Sequence, residues 1–119
     1  MGSATYNADP IKPSINHHFI VMTANPEKYK KYEVLEMLEF KNESPAKLTS
    51  DFEKEGYEQM LVVGGPHIAT SFLKECLIDE LWLTIEPNIF GIGGNFVIEE
   101  KLDVMLHLIS CEKVNDQGT

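Results

Sequence analysis

The sequence Leu61-Val62-Val63-Gly64-Gly65-Pro66-His67 joins an apolar run to the start of an amphipathic pattern. Residues 61–63 lack polar alternation, which predicts a strand buried on both faces, as in a parallel sheet between helices. The two glycines predict a tight turn, and Pro66 suits the first position of a helix. Such a junction presents unpaired backbone N–H groups and the positive end of a helix dipole. It is therefore a candidate anion site, although an ordinary strand-to-helix turn would have the same sequence.

The residues after Pro66 predict an amphipathic helix, because apolar side chains recur at helical spacing. On its predicted buried side lie Ile68, Phe72, Leu73 and Cys76. On its predicted polar side lie His67, Thr70, Ser71 and Lys74. His67 could contact a phosphate at the helix start, although an exposed histidine at a helix end is the commoner case.

Upstream, two strands and one well-marked helix are predicted. The β-branched run His18–Thr23 predicts a strand, and Leu38–Phe40 predicts part of another. The polar, lysine-rich segment between them predicts a loop or a short helix. Ser44 followed by Pro45 predicts an N-cap and a first helical position, and Gly56 predicts the end of that helix.

Downstream, apolar runs predict further strands at Leu81–Ile85, Phe96–Ile98 and Val104–Val114. A glycine-rich loop, Phe90–Asn95, separates the first two. Turn residues end the sequence at 115–119, as though a hairpin stopped at its tip. Strands and helices alternate, which predicts an α/β fold with right-handed crossovers.

Composition and charge narrow the classes of function. The 119 residues suit one domain, and 43% are hydrophobic, as in ordinary globular proteins. A net charge of −9 with only ten basic residues argues against nucleic-acid binding and weakly against anionic membranes. No signal peptide or membrane-spanning run is evident. Cys76 and Cys111 lie in apolar contexts, which predicts buried, reduced thiols and a cytoplasmic protein.

Five segments follow one another at characteristic distances: Val62-Val63-Gly64-Gly65, Phe72-Leu73, Leu77-Ile78-Asp79-Glu80-Leu81, Ile85-Glu86-Pro87 and Phe90-Gly91-Ile92-Gly93. Together they resemble the dihydrofolate reductase-like superfamily, and most closely the C-terminal reductase domain of bacterial riboflavin-biosynthesis proteins, the RibD C-terminal domain family. The start, Met1-Gly2-Ser3-Ala4-Thr5-Tyr6, is similar to the Gly-Arg-x-Thr-Tyr element of that family. A tag remnant would begin with the same first three residues.

The resemblance implies one partial domain over residues 1–119. The implied architecture is a three-layer sandwich with a mostly parallel central sheet. By this comparison the family's first strand and helix are missing, and so is its closing strand. The unpaired sheet edges and the resemblance together imply a homodimer.

The resemblance also assigns a ligand to the glycine junction. It implies that the pyrophosphate of NADPH or NADH is bound by Gly64, Gly65, Pro66, His67 and Ile68. Gly2, Thr5 and Thr23 are implied to support this site from a second wall. No residue can be given a catalytic role, because the family's substrate-anchoring groups would lie in the missing segment.

The form of the cofactor is open, because two expected arginines are absent. The family often places an arginine beside the adenosine 2′-phosphate, and here the corresponding positions are Ser3 and Ala24. Neither side chain can replace the bidentate hydrogen bonds of arginine. Lys28, Lys30 and Lys31 could substitute as mobile charges.

Other polar groups give weaker signals. His17 and His18 would point to opposite faces of a strand, so one metal ion would rarely bind both, and no metal site is predicted. His107 reads as a hydrogen-bonded sheet histidine, and Asp79-Glu80 as a helix-to-strand cap. The loop 91–95 could close over a substrate or could be a hairpin connection.

Three interpretations are open, two of them functions and the third an alternative fold. The first is an NAD(P)H-dependent reductase that transfers hydride to a pterin- or pyrimidine-like small molecule. The second is a truncated, non-catalytic nucleotide-binding or oligomerisation module of the same family. The third is a rearrangement of the same strands into a small flavodoxin-like sheet.

Overall fold

A computed structural model describes residues 1–98 and 101–119. In chain order it contains helix α1 (Ser3–Ala8), strand β1 (Phe19–Met22), a 3₁₀ helix (Pro26–Tyr32), strand β2 (Leu38–Lys41), helix α2 (Pro45–Lys54) and helix α3 (Pro66–Lys74). From residue 75 onward, the described residues form no helix or strand. The order of the elements confirms the α/β class.

The sheet is built on β1, which runs parallel to β2 with Phe19 opposite Leu38 and Val21 opposite Phe40. On the other side of β1, Gly2 forms a parallel bridge with Met22. The N–H of Met22 donates to the carbonyl of Met1 at 2.7 Å, and the amino group of Met1 donates to the carbonyl of Ile20 at 2.8 Å. The start of α1 is thereby held beside the carboxyl end of β1.

Each face of this sheet packs against its own apolar cluster. One cluster joins Val21, Leu38 and Phe40 to Tyr6 of α1 and Tyr29 of the 3₁₀ helix. The other consists of Leu48, Phe52 and Phe72 from α2 and α3, with Ile20 and Met22 packed against it. Alternate side chains of β1 therefore point to opposite faces, as the period of a strand requires. Within the described residues the sheet has two named strands, so the larger three-layer sandwich remains an expectation.

The prediction of a buried strand at Leu61–Val63 is wrong. These residues form no strand. The exposed fraction is 82% for Leu61 and 45% for Val63. Only Val62 packs against the cluster of α2 and α3. Apolar residues favour a strand, but a strand forms only where another chain segment pairs with it, and none of the described segments lies alongside.

The strands predicted at Leu81–Ile85, Phe96–Ile98 and Val104–Val114 are also absent from the described residues. Trp82 is 86% exposed and Met105 is 97% exposed, so these apolar runs are not covered by the described chain. The predicted burial of the two cysteines is wrong for the same reason. Cys76 lies beyond the end of α3 with φ +55°, and Cys111 lies in one of the unpaired apolar runs.

Helix α3 forms where it was predicted, but its buried side is different. The buried residues are Ala69, Thr70 and Phe72, and Thr70, predicted to be on the polar side, is only 1% exposed. Its hydroxyl accepts a hydrogen bond from the N–H of Ile98 at 3.0 Å. A threonine can be buried in this way because a chain segment supplies the partner that water would otherwise provide. None of the helices in the described residues is long and apolar enough to cross a membrane.

Candidate functional site

A cavity of about 280 Å³ lies where α1, the carboxyl end of β1 and α3 meet. Its walls are Gly2–Thr5 from the start of α1, Met22–Ala24 from the end of β1, and Gly65–Ile68 from the start of α3. Three segments that are far apart in sequence thus converge on one space. In α/β proteins, ligands commonly bind outside the carboxyl ends of parallel strands, and this cavity has that position.

The structure brings together nearly all of the residues predicted to bind a cofactor. The lining includes Gly2, Thr5, Thr23, Gly65, Pro66, His67 and Ile68. Gly64 does not line the cavity but lies directly behind it, against the start of α1. Met22 and Ala4 also line the cavity and were not singled out from the sequence. Their only sequence signal is their position at the end of a predicted strand and beside Thr5.

Glycines allow the two helix starts to approach each other closely. A Cβ at Gly64 would lie 3.2 Å from the backbone N of Gly2 and 3.7 Å from Oγ1 of Thr5. The φ of Gly64 is +153°, a conformation that other residues rarely adopt. A Cβ at Gly2 would lie 3.0 Å from Cγ1 of Ile68. Larger residues at these positions would push the two walls of the cavity apart.

The start of α3 presents its first turn to the cavity without a side-chain cap. Gly65 is the N-cap residue and has no side chain to bond the helix N–H groups. Its carbonyl accepts from the N–H groups of Ile68 and Ala69 at 3.1 and 3.2 Å. Pro66 has no N–H, and within the described chain the N–H of His67 has no hydrogen-bond acceptor. The unpaired N–H of His67 and the helix dipole make this end attractive to an anion.

The end of β1 contributes a hydroxyl group to the cavity. The N–H of Thr23 donates to the carbonyl of Lys41 at 2.9 Å, which extends the pairing with β2 by one residue. The Thr23 hydroxyl accepts from the N–H of Asn25 at 3.3 Å, and its own hydrogen remains free to donate to a ligand.

The lysines proposed from the sequence as mobile anchors do not line the cavity. The Lys28 and Lys31 ammonium groups lie over the rings of Tyr29 and Tyr32, at 5.7 and 4.8 Å. Lys30 pairs with Glu27 at 3.7 Å. The 3₁₀ helix thus places their side chains against its own residues. Among the described residues of the cavity wall, His67 is the one side chain that can carry a positive charge.

The two adjacent histidines lie just before β1 and point to different surroundings. His17 stacks on Phe19 with ring centroids 5.7 Å apart. His18 contacts Oε1 of Glu39 at 2.9 Å through Nε2 and the hydroxyl of Tyr57 at 3.2 Å through Nδ1. No group of three or more possible metal ligands occurs among residues 1–98 and 101–119.

Glu39, the carboxylate that contacts His18, also forms an ion pair with Lys41. Burial alone would raise the pKa of Glu39. The ammonium group of Lys41, 3.2 Å away, lowers this pKa through its hydrogen bond and its charge, and the Glu36 N–H and His18 lower it to a smaller extent. The net effect is a pKa below the ordinary value of 4.5. The cluster ties β1, β2 and the segment after α2 together. It lies apart from the cavity wall and has the character of a structural link.

The remaining predicted features do not join the cavity. The loop 91–95 is exposed and contributes no residue to the lining. Glu80 accepts from Nε1 of Trp82 at 3.1 Å, a local contact between exposed residues. His107 is exposed and lies in no strand, which corrects its assignment as a sheet histidine.

A glycine-rich turn that leads into an uncapped helix start is characteristic of α/β domains that bind phosphate-containing ligands. The family profile described as "RibD C-terminal domain" matches residues 7–118, nearly the whole chain. The chain belongs to the RibD C-terminal domain family and hence to the dihydrofolate reductase-like superfamily. The match includes Thr23 and Gly64–Ile68, whereas Gly2 and Thr5 precede it and are brought to the cavity by the fold.

One curated relative is similar to this chain over most of the chain's length. "Uncharacterized protein YwjB" of Bacillus subtilis (strain 168) is 28% identical over 97 residues. The aligned region covers 78% of this chain and 53% of that protein, so the chain spans about half the length of the curated relative it matches. No solved structure gives a significant match.

Proposed function

We propose that the cavity binds the pyrophosphate of a reduced nicotinamide dinucleotide. The observation that carries this proposal is the convergence of Gly2–Thr5, Met22–Ala24 and Gly65–Ile68 on one space. Its wall contains the uncapped start of α3, which suits a phosphodiester anion. The family membership supplies the dinucleotide as the ligand class.

The residues present fit such a group by size and by chemistry. Ligand sites usually occupy roughly 300–1,000 Å³, so a cavity of about 280 Å³ suits a diphosphate better than a complete dinucleotide. The His67 N–H would donate to one phosphate oxygen. The hydroxyls of Thr5 and Thr23 are further donors on the facing walls.

We propose further that the chain is an NAD(P)H-dependent reductase of the RibD C-terminal type. The cofactor would supply the hydride, and a pterin- or pyrimidine-like ring would accept it. The part of this chain would be to hold the pyrophosphate and exclude water from that end of the cofactor. The homodimer implied by the resemblance and the cytoplasmic location predicted from the cysteines belong to the same proposal.

A second candidate is a nucleotide-binding module without hydride transfer. It is favoured by the cavity wall, in which His67 is the sole titratable side chain among the described residues. A reductase needs a proton source for the reduced substrate as well as a hydride, and the described wall offers few choices. Both candidates share the pyrophosphate site.

Cofactor binding and oxidation separate the candidates. NADH and NADPH are titrated into the full chain by calorimetry up to millimolar concentration. Cofactor oxidation is then followed by the absorbance of the reduced nicotinamide, with dihydrofolate or a deaminated pyrimidine precursor of riboflavin. Binding with oxidation supports the reductase, and binding without oxidation supports the module. Absence of binding by both cofactors would contradict both.

A further inference from the structure

A carboxylate, an imidazole and a phenol form a continuous hydrogen-bonded row beside helix α2. Oε1 of Glu39 lies 2.9 Å from Nε2 of His18. The other ring nitrogen of His18, Nδ1, lies 3.2 Å from the hydroxyl of Tyr57. The three side chains come from β2, from the segment before β1 and from the segment after α2. None of them lines the cavity, and neither candidate function uses them.

The carboxylate fixes the direction in which hydrogen bonds run along this row. The pKa of Glu39 lies below its ordinary value of 4.5, so the carboxyl group is ionised at neutral pH. An ionised carboxylate only accepts hydrogen bonds, so Nε2 of His18 carries the hydrogen of that contact. In the neutral imidazole, Nδ1 then has a free lone pair, and the O–H of Tyr57 donates to it.

Packing holds the imidazole between its two partners. The His18 ring meets the Phe52 ring edge-on, with centroids 5.0 Å apart, and lies 6.0 Å from the Tyr57 ring. Only 7% of the His18 side chain is exposed, whereas Tyr57 is 47% exposed. The group that can accept the proton is therefore shielded from water, and the phenol that would lose it lies at the surface.

A hydroxyl that donates to an imidazole, which a carboxylate in turn orients, is the arrangement that activates a nucleophile. We propose that Tyr57 is a modification site whose phenol accepts an acyl group from an activated acyl donor, with His18 as the base and Glu39 as the group that positions His18. This site is independent of the dinucleotide cavity. Exposure alone does not explain it, because the activation resides in the row behind the phenol.

The reaction balances with the acyl donor as its one co-reactant. Oη of Tyr57 attacks the acyl carbon, and the phenol proton passes to Nδ1 of His18. The bond between the acyl carbon and the leaving group then breaks, and the leaving group takes the proton from His18. The products are an O-acyl tyrosine and the protonated leaving group, and His18 returns to its neutral form.

Tyr32 provides an internal reference within the same chain. It is also 47% exposed, and the ammonium group of Lys31 lies 4.8 Å from the centre of its ring. A nearby positive charge favours loss of a phenol proton, so the comparison is not biased towards Tyr57.

The full chain is treated with N-acetylimidazole at neutral pH, and acetylation of each tyrosine is followed in time by peptide mass spectrometry. Hydroxylamine, which removes acetyl groups from phenols but not from lysines, verifies the modified atom. General-base assistance typically contributes 10²–10⁴-fold, so Tyr57 is expected to react at least about tenfold faster than Tyr32. Equal or slower reaction of Tyr57 would overturn the proposal.

Variants then test the stated cause through the ratio of the Tyr57 rate to the Tyr32 rate. His18→Gln retains a polar side chain that cannot take up the proton, and it should bring the ratio to about one. Glu39→Gln keeps the shape but removes the charge, so it should lower the ratio, and Glu39→Asp should restore part of it. A merely structural role predicts the opposite sign, because loosening the segment after α2 would expose Tyr57 and accelerate its reaction.

Glu53→Gln is the matched control for Glu39→Gln. It makes the same change of charge at an exposed residue of α2 that lies outside the row, and it should leave the ratio unchanged. An undiminished ratio in His18→Gln or Glu39→Gln, or an equal fall in Glu53→Gln, would show that the row does not activate Tyr57 and would overturn the proposal.

Discussion

Helices α2 and α3 begin with similar sequence signals but have very different N-termini. At the start of α2, the Ser44 hydroxyl accepts from the N–H of Lys47 at 3.3 Å. The N–H of Ala46 donates to Oε2 of Glu75 at 2.9 Å, so a carboxylate from the end of α3 already neutralises this helix start. At the start of α3, Gly65 provides no cap, and the first turn faces a cavity.

The difference shows how this fold uses its helix ends. The start of α2 is satisfied by the chain's own anion and supports the packing of α2 beside α3. The start of α3 retains one unpaired donor in the described chain, the N–H of His67, and lies against the end of a parallel strand. One helix start is therefore structural, and the other is available to a ligand.

Of the variants considered, Gly65→Asp should have the largest effect, because it removes the ability of the start of α3 to bind a ligand. A carboxylate at the N-cap of α3 would supply the missing anion and occupy the cavity. We expect NADH affinity to fall by at least about a hundredfold, or ~2.8 kcal/mol. The fold should remain or gain a few tenths of a kcal/mol, because Asp is a better N-cap than Gly.

Ser44→Asp is the matched control for this variant, since it places the same charge at the N-cap of α2. It should leave NADH affinity unchanged. A comparable loss of affinity in both variants would show that net charge, rather than the site, controls binding.

Gly64→Ala should reduce stability through both its backbone and its contacts. The Cβ would meet the backbone of Gly2 at 3.2 Å, and φ +153° is unfavourable for alanine. We expect a loss of about 1–3 kcal/mol in the free energy of unfolding, measured by urea denaturation. Gly56→Ala, at the end of α2, has φ +91° but open space within 4 Å, so it should cost less. Equal costs would refute the close approach of the two cavity walls.

Ser44→Ala removes the cap of α2 and should affect stability alone. The expected loss is about 1 kcal/mol in the free energy of unfolding, which is typical of an N-cap serine. NADH affinity should stay within twofold of the wild type. A clear loss of affinity would mean that the two helix starts are coupled, contrary to the separation of roles described above.

Glu39→Gln should change the pH dependence of stability on the side of the sheet that packs against α2. A carboxyl group whose folded pKa lies below its ordinary value stabilises the fold above that ordinary value and loses this contribution as pH falls. The wild type should therefore lose stability as pH falls below about 4.5 and towards the folded pKa. Urea denaturation at pH 7 and pH 3 should show a smaller difference for Glu39→Gln, whereas an unchanged difference would assign the effect to other carboxylates.

Local sequence signals predicted the helix starts well. Ser44-Pro45 and Gly65-Pro66 each mark an N-terminus within a few residues, and the structure places α2 and α3 where these signals lie. Local sequence signals also account for one wall of the candidate site. The residues Gly65–Ile68 were predicted from their own turn, and the fold then supplied the facing walls.

Long-range pairing is where prediction from the sequence failed. Two segments, Leu61–Val63 and Val104–Val114, have strand-like composition. They form no strand, because no other segment of the described chain pairs with them. The burial of Thr70 depends on a hydrogen bond from Ile98, 28 residues away, and no periodicity within α3 could reveal it. The sequence also could not predict that the lysine side chains would pack against other residues and leave the cavity wall without a lysine.

The most direct test compares the backbone amides of the two helix starts. The ¹⁵N-labelled chain is titrated with ADP-ribose, and amide chemical shifts are followed by NMR. A pyrophosphate site at the start of α3 predicts large, saturable shifts for Gly65, His67 and Gly2, with little change at Ala46 and Lys47. Absence of a saturable shift at His67, or equal shifts at both helix starts, would contradict the central claim.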